Sequence, residues 1–202
     1  MIVAGLTGSI AMGKSTVAAM FAQFGTPVFD ADAAVRGLYA GEDAKRIEAA
    51  FPGVLIDGRV DRDRLSQLVL NDPQALARLE GLVHPAIAAM RAEFAAEAMG
   101  EGRRIALVDV PLLFETGGDA DVDCVVVVSA PAAAQHARAL ARPGMTEEKL
   151  EAILARQMSD QEKRRRAHFV IDTGGSLDRT RAQVAQFLRA AIGLEGRKAD
   201  HA

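Results

Sequence analysis

Short apolar runs alternate with amphipathic stretches along this chain, and the alternation predicts strands and helices in turn. Ile2–Leu6 is a brief continuous apolar run that stops at Thr7-Gly8, the pattern of a buried strand. From Lys14 to Phe24 the apolar positions are Val17, Met20, Phe21 and Phe24, the spacing of one helical face, and Gly25 closes that helix. Pro27–Phe29 predicts a second strand, ending in Asp30-Ala31-Asp32. Residues 33–98 read as mostly helical, punctuated at Gly41, Pro52-Gly53, Asp57-Gly58 and Asp72-Pro73. Ile105–Val110 and Cys124–Val128 are strong strand signals. Their hydrophobicity is continuous, which implies burial on both faces and hence a parallel sheet covered by helices. Pro131–Ala141 and Glu147–Met158 predict two helices separated by Pro143-Gly144, and His168–Ile171 predicts a last strand. Ser176–Ile192 predicts a closing helix with Ser176 as its N-cap, followed by a tail, 196–202, expected to fray.

The β–α alternation predicts a single α/β core, with the helical stretch between the second and third strands as an insertion. A chain of 202 residues has room for one such domain, and its half hydrophobic, quarter charged composition is that of an ordinary globular protein. No apolar stretch approaches the roughly 18 residues a membrane span needs. Met1–Gly5 lacks the basic start of a signal peptide, and a single cysteine, Cys124, excludes an internal disulfide framework. A cytoplasmic protein is expected. The net charge of −3 gives no reason to expect nucleic acid or a membrane surface as partner. The charge is unevenly spread, however. Residues 130–166 carry eight basic side chains against five acidic ones, a local cationic patch suited to a small phosphorylated ligand.

Gly8-Ser9-Ile10-Ala11-Met12-Gly13-Lys14-Ser15 fits G-x-x-x-x-G-K-[ST], the P-loop. Its glycines let the backbone curl until successive N–H groups face phosphate oxygens, and the following helix dipole favours negative charge there. Lys14 can reach the β- and γ-phosphates and the Ser15 hydroxyl can ligate Mg²⁺. The motif lies between a predicted strand and a predicted helix, the context it requires. Asp30 and Asp32, two apart in an extended chain, should point to the same side at the carboxyl end of the second strand. A carboxylate there can take the proton of an attacking hydroxyl, or it can simply cap the next helix. Asp109 ends the third strand and can hold Mg²⁺ through water, or start the turn before Pro111. Arg138 and Arg142, four apart on a predicted helix, share a face and either converge on a phosphoryl group or stand in solvent. The run Lys163–Arg166 is expected to face solvent. Pro85, after His84, should break or kink its helix, and Cys124 is expected to be inert core. A GTPase switch is excluded: the only D-x-x-G, at Asp172, comes far too late, and N-K-x-D is missing.

The constellation Thr7–Thr16, Asp30-Ala31-Asp32, Asp61-Arg62, His84-Pro85 and Pro111-Leu112-Leu113-Phe114-Glu115 resembles the dephospho-coenzyme A kinase family. So does the later cluster of Gln135, Arg138, Arg142 and Arg156-Gln157, and the resemblance runs from about Ile2 to Phe187. It implies a P-loop kinase fold of the nucleoside monophosphate kinase type, a five-stranded parallel sheet with a helical acceptor lobe and a lid. The implied boundaries are a core of about 1–32, 103–130 and 167–193, an insertion of 33–98 and a lid of 131–166. The implied reaction is ATP- and Mg²⁺-dependent phosphorylation of the ribose 3′-hydroxyl of dephospho-CoA, the last step in making CoA. By the same resemblance Asp32 is the general base, Lys14, Arg138 and Arg142 act on the transferring phosphoryl, and Ser15 and Asp109 serve the metal. Gly8, Ser9, Ala11, Met12, Gly13, Lys14, Ser15, Thr16, Thr173 and Gly174 contact ATP, while Asp32, Arg62, His84, Pro85 and Leu113 serve the acceptor. The chain departs from the family in its loop, where Ser9, Ala11 and Met12 replace two glycines and a small polar residue. Further departures are His168 and Thr173, which stand where the family more often has Asp and Asn. An ordinary side chain at any loop position needing positive φ should be strained.

Overall fold

The computed structural model of the chain describes residues 1–70 and 72–193, so the 196–202 tail lies outside the described residues. The chain divides into two compact units, Met1–Phe29 with Glu97–Ala202, and Asp30–Ala96.

The first unit is built on a five-stranded sheet. Its elements are β1 (Ile2–Thr7), α1 (Lys14–Gln23), β2 (Val28–Asp30), β5 (Ile105–Asp109), β6 (Cys124–Ser129), α6 (Ala132–Leu140), α7 (Glu147–Arg156), α8 (Asp160–Arg166), β7 (Phe169–Asp172) and α9 (Leu177–Ala191). The strand order is β2-β5-β1-β6-β7, with β1 parallel to both β5 and β6 and β6 parallel to β7. All six residues of β6 are buried, which the alternation of a strand explains. Val126 and Val128 pack with Phe21, Leu107, Ile171 and Phe187 on one face, while Val125 and Val127 pack with Leu113, Phe114 and Val122 on the other. Phe187 of α9 meets Phe21 edge-on with centroids 5.7 Å apart, a contact worth about 1 kcal/mol beyond its area. Phe24 is an exception to the expected helical face. It is 42 % exposed, with the Arg181 guanidinium over its ring. Ser176 caps α9 as expected, accepting from the Arg179 N–H at 3.3 Å.

The second unit holds α2 (Ala31–Leu38), α3 (Asp43–Ala50), a hairpin of β3 (Leu55–Ile56) and β4 (Arg59–Val60), α4 (Arg62–Val69) and most of α5 (Pro73–Gly100). Ala44, Ile47, Phe51, Val54, Val60, Leu65 and Leu79 form its core. The hairpin turns on Asp57 at φ 49° and Gly58 at φ 76°, the backbone signs of the tight Asp-Gly turn that matches strand twist. Of the two expected effects of Pro85, a break does not occur: α5 runs through it for 28 residues. The carbonyl that loses its partner is that of Gly81, an exposed position where water can serve instead. No helix among the described residues is long and apolar enough to cross a membrane.

Candidate active site

The loop between β1 and α1 takes its shape from two glycines and from its neighbours. A side chain at Gly8 would place its Cβ 2.6 Å from the Val128 carbonyl, so the loop can leave β1 this close to β6 only through glycine. Gly13, at φ 90°, is the N-cap of α1 and offers no side-chain cap. The starts of α2, α4, α7, α8 and α9, by contrast, are each capped by an Asp, Ser or Thr side chain. The first amides of α1 have no carbonyl one turn back to bond, and they carry the positive end of the helix dipole. An anion fits there.

The register of the sheet brings the charged groups to the same place. Asp109 pairs in register with Leu6, one residue before the end of β1, and its carboxylate forms an ion pair with the Lys14 ammonium. Ser15 and Thr16 are exposed in the first turn of α1. Thr173, just past β7, ties three segments together. Its hydroxyl donates to the Met12 carbonyl at 2.7 Å, and its N–H donates to the Ser129 carbonyl at 2.8 Å. Arg138 donates to the Thr173 hydroxyl and carbonyl at 3.1 and 2.7 Å. Beside them lies a cavity of about 210 Å³ lined by Gly13, Thr16, Arg138, Thr173, Gly175, Leu177 and Thr180. Its wall is partly polar and partly apolar. Leu177 and Thr180 carry no motif, and Gly175 figured in the sequence only as the end of the misplaced D-x-x-G at Asp172. Gly174 is not on this wall, and its N–H is held by the Asp172 carboxylate at 2.7 Å.

Other residues fall elsewhere. Ala11 stands at φ 61°, the strained left-handed region expected of a glycine replacement, with its methyl buried against Ala139 and Leu150. The Met12 side chain is turned into the main core, 2 % exposed, and its sulfur lies 3.1 Å from the Ala130 amide. Leu113 is likewise core, 1 % exposed, rather than a surface offered to an acceptor. Arg142 does not share a helical face with Arg138, because α6 stops at Leu140. Arg142 precedes Pro143, and proline disfavours helical geometry in the residue before it. Lys163 corrects the expectation of a solvated basic run. It is wholly buried and pairs with Glu115 at 2.8 Å. Burial pushes the Glu115 carboxyl up, but the Lys163 ammonium and the Met158 amide outweigh that and hold it below the usual carboxylate range. His168 bonds to Val125 through its ring and its N–H, at the opposite end of β6 from Ser129. Burial, helped by the Asp123 charge, pushes the Cys124 thiol up to about 11, so it is inert as expected.

In the second unit the two aspartates do not lie in an extended chain. Helix α2 starts at Ala31, immediately after β2, because the Asp30 carboxylate caps it, accepting from the Ala33 N–H at 2.8 Å. Arg36 lies 3.6 Å from the same carboxylate. Asp32 sits in the first turn of α2, exposed, outside those bonds. The two carboxylates therefore have different neighbours. Asp61 caps α4 with bonds of 3.0 Å to the Asp63 and Arg64 amides, leaving Arg62 exposed at the first helical position. The Tyr39 phenol is pushed up by burial and drawn back by the Arg62 charge, which places those two groups within electrostatic reach. His84 is exposed on α5, and Pro85 lines a largely apolar cavity of about 360 Å³ with Leu38, Ile47, Leu82 and Val83.

A glycine-capped helix after the first strand of a 2-5-1-6-7 parallel sheet, with a lysine and a strand-end aspartate beside it, defines a P-loop kinase. A family profile described as dephospho-CoA kinase matches residues 1–179. A dephospho-CoA kinase of Rhodopseudomonas palustris is 54 % identical over 199 residues, covering 98 % of this chain and all of that one. One from Brucella melitensis is 55 % identical over 98 % of each chain. A solved structure from Thermus thermophilus superposes with a TM-score of 0.82 at 34 % identity, covering 94 % of this chain and 96 % of that one. The chain belongs to the dephospho-CoA kinase family, and it is an enzyme.

Proposed function

We propose that this chain transfers the γ-phosphoryl group of ATP to the ribose 3′-hydroxyl of dephospho-CoA, giving CoA and ADP, the last step of CoA biosynthesis, in the cytoplasm. The observation that carries the reading is the uncapped start of α1 with Lys14 and Asp109 beside it, in a chain that matches the family along most of its length.

The ATP phosphates lie on the free amides that begin α1, with the nucleoside in the cavity between Gly13 and Thr180. Lys14, which pairs with Asp109 in this structure, turns to phosphate oxygens, and Asp109 would help hold the metal. The donor set fits magnesium. Ser15 and Asp109 supply hard oxygens, and no cluster of three or more acidic, histidine or cysteine side chains exists among the described residues. Such a site suits a cation that keeps its waters and takes ligands from phosphates. Magnesium, if held by Ser15 and Asp109, would supply positive charge to offset that of the phosphates. Asp32 accepts the proton of the attacking hydroxyl, since Asp30 is committed to its helix cap. Arg138 steadies charge on the transferring group, with Arg142 joining it when the 131–166 lid closes. Arg62, His84 and Pro85 bind the acceptor from the 33–98 insertion.

A coupled assay for ADP release tests this, with dephospho-CoA compared against a panel of nucleosides and nucleoside monophosphates. ADP release with dephospho-CoA alone is expected. Release with a nucleoside or monophosphate, and none with dephospho-CoA, would assign the site to a different small-molecule kinase.

A further inference from the structure

Ile10 stands at the apex of the phosphate loop, and both of its main-chain groups are held by glutamines of the 131–166 segment. Its N–H donates to the Gln157 side-chain oxygen at 3.1 Å, and its carbonyl accepts from the Gln135 amide nitrogen at 2.9 Å. Because each peptide group is planar, holding one end fixes the other. The Gln157 bond fixes the Ser9 carbonyl, which accepts the Met12 N–H at 3.2 Å. The Gln135 bond fixes the Ala11 N–H, which in a trans peptide points the opposite way from the held carbonyl. Two successive peptide planes of the loop are thus set from outside it. The strained Ala11 follows them, its methyl enclosed by Ala139 and Leu150.

Gln157 needs an anchor of its own, since it follows the last residue of α7 in an extended conformation. The next residue supplies one. The Met158 N–H donates at 2.8 Å to the same Glu115 oxygen that meets the buried Lys163 ammonium. A buried ion pair is poor evidence for stability, because an apolar pair of similar volume often serves as well. Its use here is geometric: it holds one end of the Gln157–Met158 turn against the segment after β5.

We infer that Gln135 and Gln157 are positioning residues that set the phosphate-loop amides for nucleotide, and that the Glu115–Lys163 pair is the anchor that places Gln157. The inference rests on the reading of the loop as a nucleotide cradle. Neither glutamine touches the reacting atoms in this scheme; both act through Ile10.

The test is ADP-binding calorimetry with steady-state kinetics on Gln157→Ala, Gln157→Glu and the double variant Glu115→Leu/Lys163→Met. Loss of one hydrogen bond to the loop should weaken ADP binding and raise KM for ATP about three- to tenfold in Gln157→Ala, a typical value for one such bond. KM for dephospho-CoA should stay at the wild-type value, a split that general loosening of the fold would not produce. Gln157→Glu keeps the accepting oxygen but sets a negative charge beside the phosphate cradle, so it should bind ADP no better than Gln157→Ala while KM for dephospho-CoA stays at the wild-type value. The double variant should show a cooperative melt and the same selective rise in KM for ATP. Wild-type ADP affinity in Gln157→Ala would overturn the role of the glutamine, and a normal KM for ATP in a folded double variant would overturn the anchor. Wild-type protein that bound no ADP would overturn the cradle reading, and this inference with it.

Discussion

Helices α1 and α2 each follow a strand of the sheet, and they begin in opposite ways. Helix α1 is reached through a six-residue loop and starts at a glycine that caps nothing. Helix α2 follows its strand without a loop, and Asp30 closes its first amides with a carboxylate. The first start leaves its amides without a side-chain cap. The second caps its own and leaves a different carboxylate, Asp32, exposed one residue into the helix. A bare N-terminus is a place for an anion, and a capped one is a rigid mount for an acid. The contrast explains why two aspartates only two positions apart should not be interchangeable.

Substitutions can break that contrast, and the largest effect is expected at Asp32. Asp32→Asn should lower kcat by about 10²-fold or more, the scale of a positioned base, while calorimetry shows unchanged ADP affinity. Near-normal turnover would move the role to Asp30. Arg138→Ala should reduce kcat by roughly tenfold and alter KM for dephospho-CoA less, because its charge counts most as the phosphoryl group moves. Gly13→Ala asks an ordinary residue to adopt φ 90° and sets a Cβ 3.3 Å from the Thr173 hydroxyl. It should cost about 1–2 kcal/mol, read as a lower urea midpoint, and weaken ADP binding at the bare end of α1. Asp30→Ala removes the cap of α2 and should cost about 1 kcal/mol of stability with turnover little changed. Ala11→Gly is the smallest. It relieves left-handed strain of about 1 kcal/mol and loses a buried methyl worth about 0.8 kcal/mol, so the urea midpoint should barely move.

Much of this was legible in the chain because it depends on local pattern. The phosphate loop is a main-chain device, so its glycines and their spacing announce it. The continuous valines of β6 announce a strand buried on both faces, and Ser176 announces a helix start. What stayed hidden depends on partners distant in sequence. Lys163 looks solvated within a run of four basic residues until Glu115, far earlier in the chain, is found beside it. Met12 and Leu113 lie in motifs that suggest ligand contact, yet their side chains complete the core. Asp30 and Asp32 could be read as extended neighbours only because the cap that ends β2 at Asp30 is a competition between two local geometries. Arg142 lost its helical face to the proline that follows it. Three wall residues of the cavity beside Arg138, Gly175, Leu177 and Thr180, come from a turn and a helix start whose composition is ordinary.

The most direct measurement is phosphorus and carbon NMR of the product formed from dephospho-CoA and ATP by the purified enzyme. A phosphate on the 3′-carbon of the ribose, with one ADP formed per product, is the predicted result. A phosphate on any other hydroxyl, or ADP formed while the acceptor is recovered unchanged, would contradict it.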